Sequence, residues 1–335
     1  MFQPLKYYTL LFLLCCFVQP VHAMMLERPS IDVLPEKDWH IWSQVDSFDS
    51  RMDVFGYTTK FNPKAAKLNY VDTYRLGGLY VFPHNIQLSY ALHYQQQQVT
   101  RSLEPKFIKT NTTAQHLRAQ WQFYDKKTPS KSLSMALEMG VSYRKSPKID
   151  FYRYDFTNFT VTWPGHALFS LEANDMTYLT AIRGQYVRND WKLHAGVELR
   201  YVRVSSLMSS QNPNITAILK SQAPQARPWH EAHVLFQISA DYDVNSNWQI
   251  TADYQRYQIN RQQYTPKKNA PDYRDNDTLD MYLFWRMNKS LTPYVHAHVS
   301  RRFMLGSMPL SYNQRSHPKF KYPFGYLSLG AHYAF

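Results

Sequence analysis

The sequence predicts an all-β chain: a transmembrane antiparallel up-and-down β-barrel of about twelve strands. Three observations predict it. Segments of strict apolar and polar alternation recur along the chain, which is the period of a strand whose two faces meet different surroundings. After residue 23 no apolar run approaches the roughly 20 residues that a membrane helix needs. Short, turn-rich connections alternate with long ones, as they do at the two ends of a membrane barrel. Aromatic residues make up 16% of the 335 residues, 26 of them Tyr, and the formal net charge is +13. The polar average agrees with this fold, because each strand shows lipid only at every second residue.

Residues 1–23 read as a cleaved signal peptide. Lys6 precedes an apolar run over 8–18, and Val21-His22-Ala23 places small residues where signal peptidase requires them. Gln19 and Pro20 end the run well short of a membrane anchor. The only cysteines, Cys15 and Cys16, fall inside this leader, so the exported chain has no disulfide, thiol nucleophile or Cys-based metal site. Residues 24–37 are expected to form a periplasmic lead-in, and residues 38–335 the barrel.

Five segments carry the strand signal most clearly. Residues 86–95 set Ile86, Leu88, Tyr90, Leu92 and Tyr94 against Gln87, Ser89, His93 and Gln95. Residues 133–144 set Leu133, Met135, Leu137, Met139, Val141 and Tyr143 against Ser134, Glu138, Ser142 and Arg144. Residues 191–201 set Leu193, Ala195, Val197 and Leu199 against Lys192, His194, Glu198 and Arg200. Residues 234–244 and 279–287 repeat the pattern, with Phe236, Ile238, Met281, Leu283 and Trp285 on the apolar side. A charge on the lipid face near the bilayer midplane costs about 2–4 kcal/mol. None of the five apolar faces carries one.

Further strands are expected near 70–82, 114–125, 176–188, 248–261, 291–303 and 325–335. An even total requires one before them. Residues 39–48 are the candidate, with Trp39, Ile41 and Val45 outward, and 52–57 compete. The weakly alternating stretch 151–172 contains Trp163-Pro164-Gly165. If it crosses as a hairpin, the count becomes fourteen. Trp121, Trp191, Trp248 and Trp285 lie close to the short turns, as an interfacial aromatic ring on one side of the membrane would require.

The final strand carries the most specific signal. Leu327, Leu329, Ala331, Tyr333 and the terminal Phe335 share one face, aliphatic in the middle and aromatic at the end. A strand ending in Phe with an aromatic two residues earlier resembles the last strand of bacterial outer-membrane β-barrel proteins. The resemblance implies residence in the outer membrane of a Gram-negative bacterium. It also implies that Tyr333 and Phe335 form a signal read by the barrel-assembly machinery. A secreted β-sandwich would account for the alternation but not for this terminus.

With the polar faces turned inward, the lumen lining is uneven. Arg75, Arg118, Arg144, Arg183, Lys192 and Arg200 come from the first seven strands, and Asp241, Asp243, Asp253 and Asp280 from the eighth, ninth and tenth strands or their ends. Glu138 and Glu198 are acidic exceptions among the first group, and Arg286 adds a late cation. In a closed barrel these two arcs would face each other across the lumen. That arrangement resembles the constriction of general porins, where a transverse field and the excess sign set solute preference. Two outcomes stay open: a narrow passage for small polar or anionic solutes, or charges that pair and close the lumen. In the closed case the long loops would serve a surface interaction or scaffold role. Their cations, among them Arg101, Lys148, Lys220 and Lys319, suit contact with lipopolysaccharide phosphates. Nucleic acid is no expected partner, since both faces of the outer membrane are remote from it. A monomer is the default oligomeric state, because no outward face differs from its neighbours.

A hydrolase is the remaining class. His298-Val299-Ser300 puts a base and a nucleophile on one strand face, and this resembles the His-x-Ser of barrel lipid hydrolases. Those enzymes continue to Asn, whereas Arg301 and Arg302 follow here. The register turns His298 and Ser300 into the lumen, away from lipid. His93, His116, His194, His233, His296 and His332 are likewise inward, and no H-x-x-x-H metal spacing is present. No catalytic residue, resident metal or cofactor is therefore expected.

Overall fold

The computed structural model describes residues 39–49, 67–101, 104–146, 148–151, 153–155, 160–162, 166–216, 228–262, 273–288, 291–302 and 323–334. The leader 1–23, the lead-in 24–37, the competing segment 52–57, Trp163-Pro164-Gly165, Phe335 and many of the loop cations lie outside these residues.

The strands in chain order are β1 (Trp39–Asp49), β2 (Lys67–Phe82), β3 (Ile86–Arg101), β4 (Glu104–Thr128) and β5 (Lys131–Lys145). Three short ones follow, β6 (Ile149–Phe151), β7 (Arg153–Asp155) and β8 (Thr160–Thr162). Then come β9 (Phe169–Arg188), β10 (Trp191–Ser209), β11 (Trp229–Asp243), β12 (Trp248–Gln262), β13 (Asp275–Trp285), β14 (Leu291–Ser300) and β15 (Phe324–Ala334). Apart from β6, β7 and β8, each strand pairs antiparallel with the next, and β5 passes directly to β9. The sheet closes where β1 pairs with β15, from Trp42 opposite Ala334 to Ser47 opposite Leu329. Among the described residues the barrel therefore has twelve wall strands, with 39–49 as the first. Closure leaves no free edge, so the backbone of every wall strand finds partners on both sides, as a membrane demands.

The fourteen-strand alternative is overturned. Among the described residues β7 and β8 pair only with each other, and β6 adds three residues to the top of β9. The physical reason lies in their length: three residues span only about 10 Å, far less than a membrane crossing. The long-connection end also differs from expectation, because strands continue through regions expected as loops. β3 and β4 stay paired up to Arg101 opposite Glu104, and β9 and β10 up to Ser170 opposite Ser209. Wall strands β4 and β9 are 25 and 20 residues long. About 9–11 suffice to cross the hydrocarbon, so this side of the barrel rises above it.

Turn chemistry sets the other end. His84 and Asn85 adopt left-handed φ values of 66° and 59°, and Asn189 one of 51° in the two-residue β9–β10 turn. Asn tolerates that region better than most residues. Asn245 Oδ1 accepts the backbone N–H of Asn247 and Trp248 at 2.8 and 3.0 Å, fixing the β11–β12 turn.

On the exterior, Ile182, Leu199, Ile238 and Leu329 are each more than half exposed, with Ile238 reaching 64%. A continuous apolar surface of this extent is stable only in contact with lipid. Trp121, Trp191, Trp248 and Trp285 are also exposed, and the last two stack at 5.8 Å and 9°. They stand near the short-turn end, where amphipathic rings meet headgroups.

Candidate functional site: the lumen

β11 shows how the wall is built. Glu231, His233, Leu235, Gln237, Ser239 and Asp241 are buried inside, whereas Phe236 and Ile238 between them point out. The inward residues of β4, β5, β9, β10, β11 and β12 form one connected network. Glu138 accepts from Arg118 Nη1 at 3.0 Å and from Arg183 Nε at 2.7 Å. Arg183 also donates to Glu198 at 2.6 Å and to Gln237 at 3.1 Å. Glu198 accepts a second charge-assisted bond from Arg200. Gln237 donates to both oxygens of Asp253, at 2.9 and 3.0 Å, and Gln255 donates to Asp253 at 2.8 Å. Tyr257 hydroxyl donates to Gln255, and the Arg200 guanidinium lies 5.8 Å from the Tyr257 ring centroid.

Two glycines make room for these arginines. A Cβ on Gly196 would stand 3.3 Å from Arg183 Nη1, and one on Gly140 would stand 3.0 Å from Arg118 Cγ. Gly196→Val should therefore lower stability by about 1–3 kcal/mol through overpacking. Urea unfolding of the folded barrel, followed by Trp fluorescence, measures the change.

Other expected lumen residues fall elsewhere on the wall. Arg144 lies 3.6 Å from Asp175, Asp243 accepts from Arg286 at 2.6 Å, and Asp241 accepts from Thr251 at 2.7 Å with His194 at 3.2 Å. Lys192 and Arg75 are partly buried on the same inward faces, opposite Asp241 and His93 in register. The picture of two opposed arcs changes accordingly. Arg118, Arg183 and Arg200 meet acidic partners on their own or adjoining strands instead of projecting a field across the lumen. Cross-strand neighbours lie about 5 Å apart, well inside the range at which opposite charges bind in a low-dielectric interior.

Sequence reasoning overlooked a second cluster near the long-connection end. Glu231 accepts from Arg261 at 2.7 Å and from Trp229 at 3.3 Å, and its other oxygen lies 2.7 Å from His233. Glu231, His233 and Arg261 keep at most 1% of their side chains exposed. The signal was present as Trp229-x-Glu231-x-His233, three polar-tipped residues on one strand face.

Ser300 Oγ accepts from Asn276 Nδ2 at 3.0 Å and donates its single hydrogen to the Arg302 carbonyl at 2.6 Å. His298 Nδ1 lies 2.7 Å from Asp280 Oδ1, and His296 Nε2 lies 2.8 Å from the same oxygen. Asp280, placed in the acidic arc by sequence, thus stands within hydrogen-bonding distance of two imidazoles.

A closed antiparallel barrel with an apolar exterior, interfacial tryptophans and a polar, charged interior is a transmembrane β-barrel of the outer-membrane type. The chain has this architecture. It is similar in structure to the translocator domain of the autotransporter NalP from Neisseria meningitidis, with 9% identity, 88% of each chain covered and a TM-score of 0.49. It is also similar to the transport unit of the autotransporter AIDA-I from Escherichia coli, at 10% identity over 100% of both chains with a TM-score of 0.46. Outer membrane phospholipase A from Escherichia coli aligns at 11% identity over 92% of this chain and 94% of that one, with a TM-score of 0.41. No protein-family model matches the chain, and no curated protein matches it in sequence.

Proposed function

We propose that the protein is a narrow passive channel that favours small anions. One observation carries this reading. In three inward ion pairs the cation keeps contact with lumen water while the carboxylate is sealed. Side-chain exposure is 17% against 4% for Arg118 and Glu138, 20% against 2% for Arg144 and Asp175, and 21% against 2% for Arg200 and Glu198. The pairs are neutral in sum, but the sign presented to a passing solute is positive. Arg75 and Lys192, both partly exposed to the interior, add to it. A pathway lined in this way rejects cations and draws anions.

The test is conductance of the purified barrel in planar bilayers under a salt gradient. The expected result is discrete steps whose reversal potential has the sign of anion preference. Arg118→Gln and Arg200→Gln should each lower the partition of anions into the lumen about fivefold and raise that of cations about fivefold. That is the Boltzmann factor of the about 1 kcal/mol that a unit charge exerts at 4 Å in water. Both variants leave Glu138 or Glu198 with Arg183 as a partner, so folding should survive. Silent bilayers with correctly folded protein would favour a closed barrel that works through its long loops. The buried Glu138–Arg183–Glu198 chain supports that second reading.

A further inference from the structure

We propose that Asp280, His296 and His298 form a lumen-facing binding site for a late first-row divalent cation such as Zn²⁺ or Cu²⁺. This inference does not depend on the channel reading. On β14 the two imidazoles share a face at a spacing of two, and His298 stands directly opposite Asp280 of β13. His296 is the diagonal neighbour of Asp280 on the same face, within reach for side chains of this length. The result is three donor atoms within 4.8 Å of one another.

The geometry is close to that of a metal centre. His296 Nε2 and His298 Nδ1 approach Asp280 Oδ1 to 2.8 and 2.7 Å. A metal about 2.0–2.2 Å from each ligand holds neighbouring donors roughly 3.0–3.4 Å apart. Each contact therefore needs to open by only a few tenths of an ångström. The His296 ring is already oriented, stacked on Tyr282 at 4.2 Å with 4° between planes. His298 and Asp280 keep 17% and 15% of their side chains exposed, which leaves an entry path from the lumen. β13 stands opposite β4 in the closed wall, six strands away in either direction, so Arg118 is on the far side.

The donor set selects the ion. Two imidazoles and one carboxylate suit zinc, copper or nickel, whereas magnesium and calcium require oxygen donors. Three protein ligands leave at least one position to water or an anion, which is the pattern of exchangeable rather than structural centres.

The experiment is equilibrium dialysis of the full folded chain in detergent against Zn²⁺, with Mg²⁺ or Ca²⁺ in excess. One zinc per chain is expected. His296→Gln, His298→Gln and Asp280→Asn should each weaken binding by roughly tenfold or more, at least the loss seen when only a ligand's supporting partner is removed. His93→Gln serves as control, because His93 and His116 also lie together, with ring centroids 4.3 Å apart. Zinc binding that persists in all three site variants, or that disappears with His93, overturns the assignment. So does absence of binding to the wild-type chain. Should the variants fail to fold, the Cu²⁺ electron paramagnetic resonance spectrum of the wild type decides. Coupling to two nitrogens supports the site, and oxygen-only or single-nitrogen coordination overturns it.

Discussion

Arg183→Met should destabilise the folded barrel by about 3–5 kcal/mol, because removing one member of a buried ionic cluster strands its partners. Arg183 and its two carboxylate partners, Glu138 and Glu198, are all at most 4% exposed. The variant leaves Glu138 with Arg118 and Glu198 with Arg200, which places the expected loss at the lower end of that range. It also removes the donor that orients Gln237 toward Asp253. A quintuple variant that replaces Arg118, Arg183 and Arg200 by Met and Glu138 and Glu198 by Gln should recover most of the loss. Apolar and neutral replacements of a whole buried ionic cluster often match the original in stability. Urea titration in detergent or lipid vesicles, read by Trp fluorescence and by gel mobility of unboiled samples, measures all three proteins. Equal midpoints for the wild type and Arg183→Met would mean that water reaches this cluster freely and that the lumen is wider than described.

Ile182→Arg should cost about 2–4 kcal/mol, and Leu133→Arg only about 0–1 kcal/mol, since the penalty for a lipid-facing cation falls from the midplane to the interface. Both residues point outward, at 54% and 42% exposure. Their depths differ. Leu133 follows the short β4–β5 turn closely and pairs with Lys126. Ile182 pairs with Leu137 on one side and Val197 on the other, six residues above the turn that follows β9. The same urea titration separates the two. If both variants lost equal stability, the apolar belt would not be centred where the tryptophan ring places it.

The elements that sequence made legible share one property: their signal is local. The apolar faces of 86–95, 133–144 and 191–201 could be read because strand geometry alternates side chains without help from neighbours. The first strand emerged from the need for an even count together with Trp39 to Phe48, and closure of β1 on β15 agrees with it. The tops of β3, β4, β9 and β10 were misread as loops. Stretches such as 104–112 and 205–209 carry no strict apolar and polar alternation, so periodicity did not mark them.

The lumen was less legible. Sequence assigned Arg118, Arg183, Arg200, Asp241, Asp253 and Asp280 to inward faces, but not their partners. The histidines were judged by a helical metal spacing, H-x-x-x-H, whereas on a strand the equivalent same-face spacing is H-x-H. That template would have marked His296 and His298, although Asp280 enters only through the β13–β14 register.

The sequence by itself determined that this chain forms strands with one apolar and one polar face, and which residues turn inward. Those follow from periodicity and from the cost of charge in hydrocarbon. Tertiary structure alone decided which charges pair, which member of each pair meets lumen water, and which donors converge on one point. Such pairings depend on strand register, and a shift of two residues preserves every inward face while changing every neighbour.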